Sequence, residues 1–140
     1  MTLPWSDQLP AVQFRAARPT HQLDKIIEFY TQGLGLQIIG SFAQHNGYDG
    51  VMLGLPDVHY HLEFTQHVDA IPTPPPSEDN LLVFYIPNRE VRDAIAARLN
   101  SMGYPAVEPE NPYWKLNGVT ICDPDGWRIV LQNSAGLVSE

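Results

Sequence analysis

Cysteine is nearly absent. With Cys122 alone in 140 residues, neither an intrachain disulfide nor a Cys-x-x-Cys metal site can form. Positive charge is scarce as well: eight Lys and Arg stand against sixteen Asp and Glu, a formal net charge of −8. A phosphate backbone or an anionic bilayer would be repelled, so no nucleic acid and no membrane is expected as a partner. No apolar run approaches the ~20 residues of a membrane-spanning helix. The first ten residues lack a basic segment and an apolar core and do not read as a signal peptide. A reducing cytoplasm is therefore the expected location. A phosphate loop, a Ser-His-Asp pattern and a dinucleotide fingerprint are also missing. The remainder, 44% hydrophobic and 17% charged, is the composition of a soluble globule. Its charge favours cationic or neutral small molecules.

What is present is a repeat. Tyr48-Asp-Gly-Val-Met-Leu-Gly-Leu-Pro-Asp-Val-His-Tyr-His-Leu-Glu-Phe64 is echoed by Leu116-Asn-Gly-Val-Thr-Ile-Cys-Asp-Pro-Asp-Gly-Trp-Arg-Ile-Val-Leu-Gln132. Each copy runs from a Gly-Val step through a strand and a Pro-Asp turn into another strand, and each follows an amphipathic helix. Self-similarity of this kind sets the architecture before single residues are read.

The first copy opens with a strand over 12–18, where Val12, Phe14 and Ala16 alternate with Gln13, Arg15 and Ala17. Thr20 is a candidate helix N-cap. Leu23, Ile26, Ile27 and Tyr30 recur at i, i+3, i+4, i+7, a helical stripe that Gly33 and Gly35 end. A strand over 36–42 follows, then a hairpin turn at Asn46-Gly47 and strands over 48–55 and 58–65. Residues 68–79 carry four prolines and no periodicity, which predicts a stiff connector. The second copy begins with Leu81–Ile86, apolar throughout and expected to be buried on both faces. Asn88 is the expected cap of a helix with Val91, Ile95, Leu99 and Met102 inward. Strands over 104–108, 119–122 and 127–132 complete it, the last two joined by the Asp123-Pro-Asp-Gly126 turn.

Neither half can bury its sheet and helix alone. The expected fold is α+β: two βαβββ repeats forming a curved eight-stranded mixed sheet around a cavity, with the helices outside. Repeat one spans 12–67, the proline-rich linker 68–79, and repeat two 80–133, in a single domain.

Candidate chemistry gathers on one strand. His59, His61 and Glu63 lie at i, i+2, i+4 and so share one face. Two imidazoles and a carboxylate can hold Zn²⁺ or Fe²⁺ with positions left for substrate; a hydrogen-bonded polar face is the plainer reading. Glu63 in a partly apolar cavity is a candidate general base. Arg15 and Arg128, on the inferred cavity face, are equally suited to pair with Glu63 or to grip a ligand carboxylate or phosphate. Tyr113 and Trp114, with Tyr48 and Phe42, are placed to rim the cavity, or else to anchor their own loops by packing. His21, His45, His67 and Cys122 read as structural.

Four segments together carry a resemblance: Phe29-Tyr-Thr-Gln-Gly-Leu-Gly-Leu36, His61-Leu-Glu-Phe64, Tyr113-Trp114 before a Gly-Val strand, and Asp123-Pro-Asp-Gly126. They resemble the vicinal oxygen chelate superfamily of glyoxalase I, bleomycin-resistance proteins, fosfomycin-resistance enzymes and extradiol dioxygenases, over residues 12 to 133. The resemblance implies a divalent metal (Zn, Ni, Fe or Mn) held by first-strand and last-strand residues of each repeat. By position Gln13 and Glu63 would serve in repeat one, with His61 in a rearranged set. The corresponding Leu81 and Val130 of repeat two cannot bind metal, so the implied site is incomplete. Two functions follow as expectations. One is metal-free binding of a small organic molecule through Gln13, Arg15, His61, Glu63, Arg128, Tyr113 and Trp114. The other is a metal-dependent lyase, isomerase or dioxygenase acting on vicinal oxygens. Family members commonly pair, so a homodimer is expected.

Overall fold

The computed structural model describes residues 4–137; the first three residues of the opening decapeptide and the last three of the chain lie outside the described residues. The chain divides into two compact units with the boundary between Pro72 and Thr73. That boundary falls in the proline-rich segment, and 68–79 contains neither helix nor strand. The eight expected strands form two mixed sheets of four, one in each unit.

In the first unit the strands are β1 (Phe14–Pro19), β2 (Gln37–His45), β3 (Tyr48–Gly54) and β4 (Tyr60–His67). Their order is β1-β4-β3-β2, with β1 parallel to β4 and the other pairs antiparallel. Asn46 (φ 53°) and Gly47 (φ 85°) both take left-handed backbone, which a two-residue turn matching the twist of its strands requires. Helix α1 (Leu23–Glu28) runs directly into a π-turn over Phe29–Gly33, closed by Leu34 N–H donating to Phe29 C=O at 2.9 Å. The wider turn lets Ile26, Phe29 and Tyr30 all be fully buried. The Tyr30 ring lies 4.9 Å from that of Phe64, and Arg18 closes the cluster, stacked over Phe64 and donating to Tyr30 Oη at 2.8 Å. Thr20 is not the N-cap. Its Oγ1 accepts from Gln22 N–H in a turn just before the helix, and Gln66 Oε1 takes the Leu23 N–H.

The second unit contains β5 (Leu81–Tyr85), α2 (Arg89–Ser101), β6 (Ala106–Val107), a 3₁₀ turn over Pro112–Lys115, β7 (Gly118–Cys122) and β8 (Arg128–Gln132). Strand order is β5-β8-β7-β6, again with one parallel pair, β5 and β8. Because β5 is an edge strand, Leu81–Phe84 are half-buried and Tyr85 is exposed, contrary to the double burial expected of this apolar run. Asn88 is the cap: its Oδ1 accepts from Val91 N–H at 3.0 Å. Of the expected inward stripe of α2, Leu99 is buried and Ile95 and Met102 are half-buried, but Arg92 takes the place of Val91. Val91 is 49% exposed, whereas Leu99 is fully buried and Arg92 is 8% exposed. Arg92 Nη1 donates to Asn117 C=O at 2.8 Å and to Leu131 C=O at 3.4 Å. Those carbonyls offer the guanidinium partners that outweigh burying one more valine. The Asp123 carboxylate is buried beneath the β7–β8 turn, where Oδ1 accepts the backbone N–H groups of Asp125 and Trp127.

The exclusion of Val91 from the core has a measurable consequence. In denaturant unfolding Leu99→Ala should lose roughly 2–5 kcal/mol, as a large-to-small core change does. Val91→Ala should stay within about 0.5 kcal/mol of the parent. Equal losses at the two positions would contradict the observed helix face.

Candidate functional site

Period-two alternation sorts each sheet into two faces. In the first sheet Leu62, Phe64, Val51 and Leu53 are buried on the face that carries Tyr30. The opposite face bears Arg15, His61, Glu63 and Met52. Register sets Arg15 beside His61, and Met52 beside Glu63.

On that face Arg15 lies between the two expected metal donors. Its Nε donates to His61 Nε2 at 2.8 Å, and its Nη1 donates to Glu63 Oε2 at 3.2 Å. Accepting through Nε2 puts the ring proton of His61 on Nδ1. His61 is 8% exposed and the Glu63 side chain 16%, whereas the Arg15 side chain is 45% exposed. The arginine thus anchors two of its donors inward and presents the rest of its planar fork to the surface.

The other expected donors do not join this cluster. Gln13 is exposed and precedes β1. His59 precedes β4, and its Nδ1 lies 3.3 Å from Val12 C=O. Register also makes Arg15, not Gln13, the counterpart of Leu81. Arg15 is paired with His61, two residues before Glu63, just as Leu81 is paired with Arg128, two residues before Val130. Among the described residues no group of three or more His, Cys, Asp and Glu side chains is arranged to hold a metal ion. Of the donor set Gln13, His61 and Glu63, two members are bonded to a guanidinium and the third stands apart from them.

Arg128, Tyr113 and Trp114 belong to the second unit. Arg128 Nη1 donates to Glu108 C=O at 2.9 Å, and its Nη2 lies 3.6 Å from Glu78 Oε1. Trp114 is half-buried and Tyr113 is 60% exposed, with their rings edge to face at 5.0 Å. Trp114, Pro112, Leu81 and Val83 give the apolar wall of a cleft of about 590 Å³, and Asp79, Glu110 and Asn111 supply its polar rim. Glu110 holds its proton above the ordinary carboxylate range. The first cause is a hydrogen bond with the Glu78 carboxyl, followed by repulsion from Glu78 and Asp79, with Arg128 opposing.

Four residues here were not singled out from the sequence. Glu78 and Glu110 sit in segments without periodicity, so nothing local marks them. Thr120 and Gln132 did carry a signal: Thr120 is a polar residue in an otherwise apolar strand, and Gln132 ends a strand whose only other polar residue is Arg128. Both are at least 95% buried, and neither Thr120 Oγ1 nor Gln132 Oε1 has a hydrogen-bond partner. A buried polar atom left unpaired costs about 1–3 kcal/mol.

The Glu78–Glu110 contact predicts a pH dependence. Glu110 binds its proton more tightly folded than unfolded, so the stabilisation is complete below the unfolded carboxylate value and is lost as pH rises through the folded one. Glu110→Gln keeps a donor toward Glu78 without needing a proton. Its melting temperature should match or exceed the parent's at neutral pH, and the gap should close on acidification. Parallel curves across that range would contradict the shared proton.

Two family models match the chain: the YycE-like N-terminal domain over residues 14–65 and the YycE-like C-terminal domain over residues 79–133. The chain is 61% identical over 127 residues to the uncharacterised protein YycE of Bacillus subtilis strain 168, covering 91% of each. The crystal structure of a Bacillus subtilis YycE protein superposes with a TM-score of 0.89 at 57% identity, over 96% of this chain and 98% of that one. Trypanothione-dependent glyoxalase I of Leishmania major shares the fold alone, with a TM-score of 0.69 at 20% identity over 85% and 84% of the two chains. The chain belongs to the YycE-like family and has the vicinal oxygen chelate fold.

Proposed function

We propose that this protein binds a small organic molecule in the cleft of its second unit and does so without a resident metal, in the manner of a sequestering protein of the glyoxalase/bleomycin-resistance type. One observation carries the metal-free part: the Arg15 guanidinium takes up both His61 Nε2 and Glu63 Oε2. A protein-borne cation held by two hydrogen bonds replaces the ion that such donors otherwise attract. The cleft supports the ligand. Its volume of about 590 Å³ gives room for a small molecule, with Trp114, Leu81 and Val83 as apolar contacts and Asp79, Glu110 and Asn111 as polar ones.

A second reading, a metal-dependent lyase, isomerase or dioxygenase, is favoured by the placement of His61 and Glu63 on one face of β4. It requires Arg15 to withdraw and a metal to enter, after which Glu63 or His61 would move the proton.

Thermal melting of chelator-treated protein with Ni²⁺, Zn²⁺, Mn²⁺ and Fe²⁺ separates the two. A native-state site adds roughly 2.7 kcal/mol at a hundred times Kd, which raises Tm by several degrees. The expected result is no ion-dependent rise that Glu63→Ala removes, with a Zn²⁺-dependent rise appearing only in Arg15→Ala. A rise in the parent protein that Glu63→Ala abolishes overturns the metal-free reading and leaves the enzyme.

A further inference from the structure

The chain contains two Asn-Gly steps, Asn46-Gly47 and Asn117-Gly118. At such a step the backbone nitrogen of the glycine can attack the side-chain carbonyl carbon of the asparagine, because glycine puts no side chain in the way. Ring closure requires the Asn-Gly peptide to swing about the ψ angle of the asparagine. Whatever holds that peptide therefore decides which step reacts.

Asn117-Gly118 is held on both sides. Asn117 C=O accepts from Arg92 Nη1 at 2.8 Å and from Asn133 N–H at 2.7 Å. Gly118 is crowded by the Trp114 carbonyl and by Gln132 Oε1, the latter 2.6 Å from where a Cβ would stand. Asn46-Gly47, by contrast, stands exposed at the tip of the β2–β3 hairpin. Among the described residues neither Asn46 C=O nor Gly47 N–H takes part in a backbone hydrogen bond. The next peptide is the one that is tied, with Val68 N–H donating to Gly47 C=O at 2.9 Å.

One side chain leans over this turn. His67 Nε2 lies 3.1 Å from the point that a Cβ on Gly47 would occupy. Asp69 N–H donates to His67 Nδ1 at 3.1 Å, which leaves the proton of the neutral ring on Nε2. The Tyr48 ring packs edge to face on the imidazole at 4.8 Å. A cleft of about 350 Å³ lined by Gly47, Asp49, Gln66 and His67 opens the turn to water.

We propose that Asn46 is a site of self-modification and that His67 assists it. Gly47 N gives its proton to solvent and bonds to Asn46 Cγ. Negative charge gathers on Asn46 Oδ1 as that bond forms, and the His67 Nε2–H stabilises it by a hydrogen bond. Solvent returns a proton to the side-chain nitrogen, its bond to Cγ breaks, and ammonia leaves a succinimide ring. Water then opens the ring at either carbonyl, giving aspartate or isoaspartate at position 46. Both products add a carboxylate to a chain already at −8. The isoaspartyl form also puts an extra methylene into the main chain of a two-residue turn, whose length sets the β2–β3 register.

The test follows full-length protein held at neutral pH and physiological temperature. Samples are digested at intervals, and aspartate and isoaspartate at positions 46 and 117 are quantified by mass spectrometry. Position 46 should convert at least about tenfold faster than position 117. His67→Ala should slow position 46 several-fold and leave position 117 unchanged, and His67→Gln, which keeps an N–H donor, should recover part of the rate. In urea-unfolded chains the parent and His67→Ala should convert alike, since the imidazole no longer stands over the turn. A purely structural histidine would have the opposite effect, because its loss would loosen the hairpin and speed conversion. Faster or unchanged conversion in folded His67→Ala therefore overturns the role of His67. Conversion at position 46 no faster than at position 117 overturns the proposal as a whole.

Discussion

A strand shows its side chains to two sides in strict alternation, and each sheet of this protein carries one helix. Much of the arrangement follows from that pairing. In the first unit one face is committed to Phe29, Tyr30 and Phe64, and the chemistry-bearing residues Arg15, His61 and Glu63 fall on the other because their numbers are odd. In the second unit Leu99 and Arg92 are the buried residues of α2, and Leu81, Arg128, Val130 and Gln132 occupy the alternate positions. A one-residue slip in either register would exchange core for surface along an entire strand. The bulges in β2, between Ile38 and Gly40 and between Phe42 and His45, absorb irregularity on an edge strand and leave β3 and β4 in step.

The repeat allows equivalent positions to be compared. The pairs Met52–Glu63 and Thr120–Val130 correspond, as do Gly54–His61 and Cys122–Arg128. Arg15 then corresponds to Leu81, His61 to Arg128, and Glu63 to Val130. Each unit keeps an arginine at this level of the sheet, on the first strand in one and on the last in the other. The first uses it to tie an imidazole to a carboxylate. The second ties it to Glu78 and a backbone carbonyl, outside the strand positions that the repeat conserves. The same backbone plan thus supports an ionic cluster in one half and a cleft of mixed polar and apolar lining in the other.

Most of the fold was legible because it depends on local signals. The Asn46-Gly47 turn, the Asn88 cap and the eight strands are each specified by neighbours in sequence. The misplaced features depend on partners distant in sequence. Thr20 loses the cap because Gln66, from β4, takes the Leu23 N–H. Val91 is displaced from the core because Arg92 finds carbonyls at Asn117 and Leu131. At the site, strand parity located Arg15, His61 and Glu63 together, but which of them bond to one another depends on side-chain reach and not on periodicity. Glu78 and Glu110 converge across 32 positions of sequence from irregular segments, where no pattern could reveal them.

Gly50 and Gly118 occupy the same point of the two sheets, opposite Thr65 and Gln132. Each lacks a side chain where a neighbour has moved in: the Phe42 ring over Gly50, the Gln132 amide and the Trp114 carbonyl over Gly118. The glycine acts as a socket, and what plugs into it comes from an adjacent strand or loop. The two sockets differ in how firmly they are closed: a side-chain ring end stands over Gly50, whereas the backbone carbonyl over Gly118 leaves that address no room for a side chain.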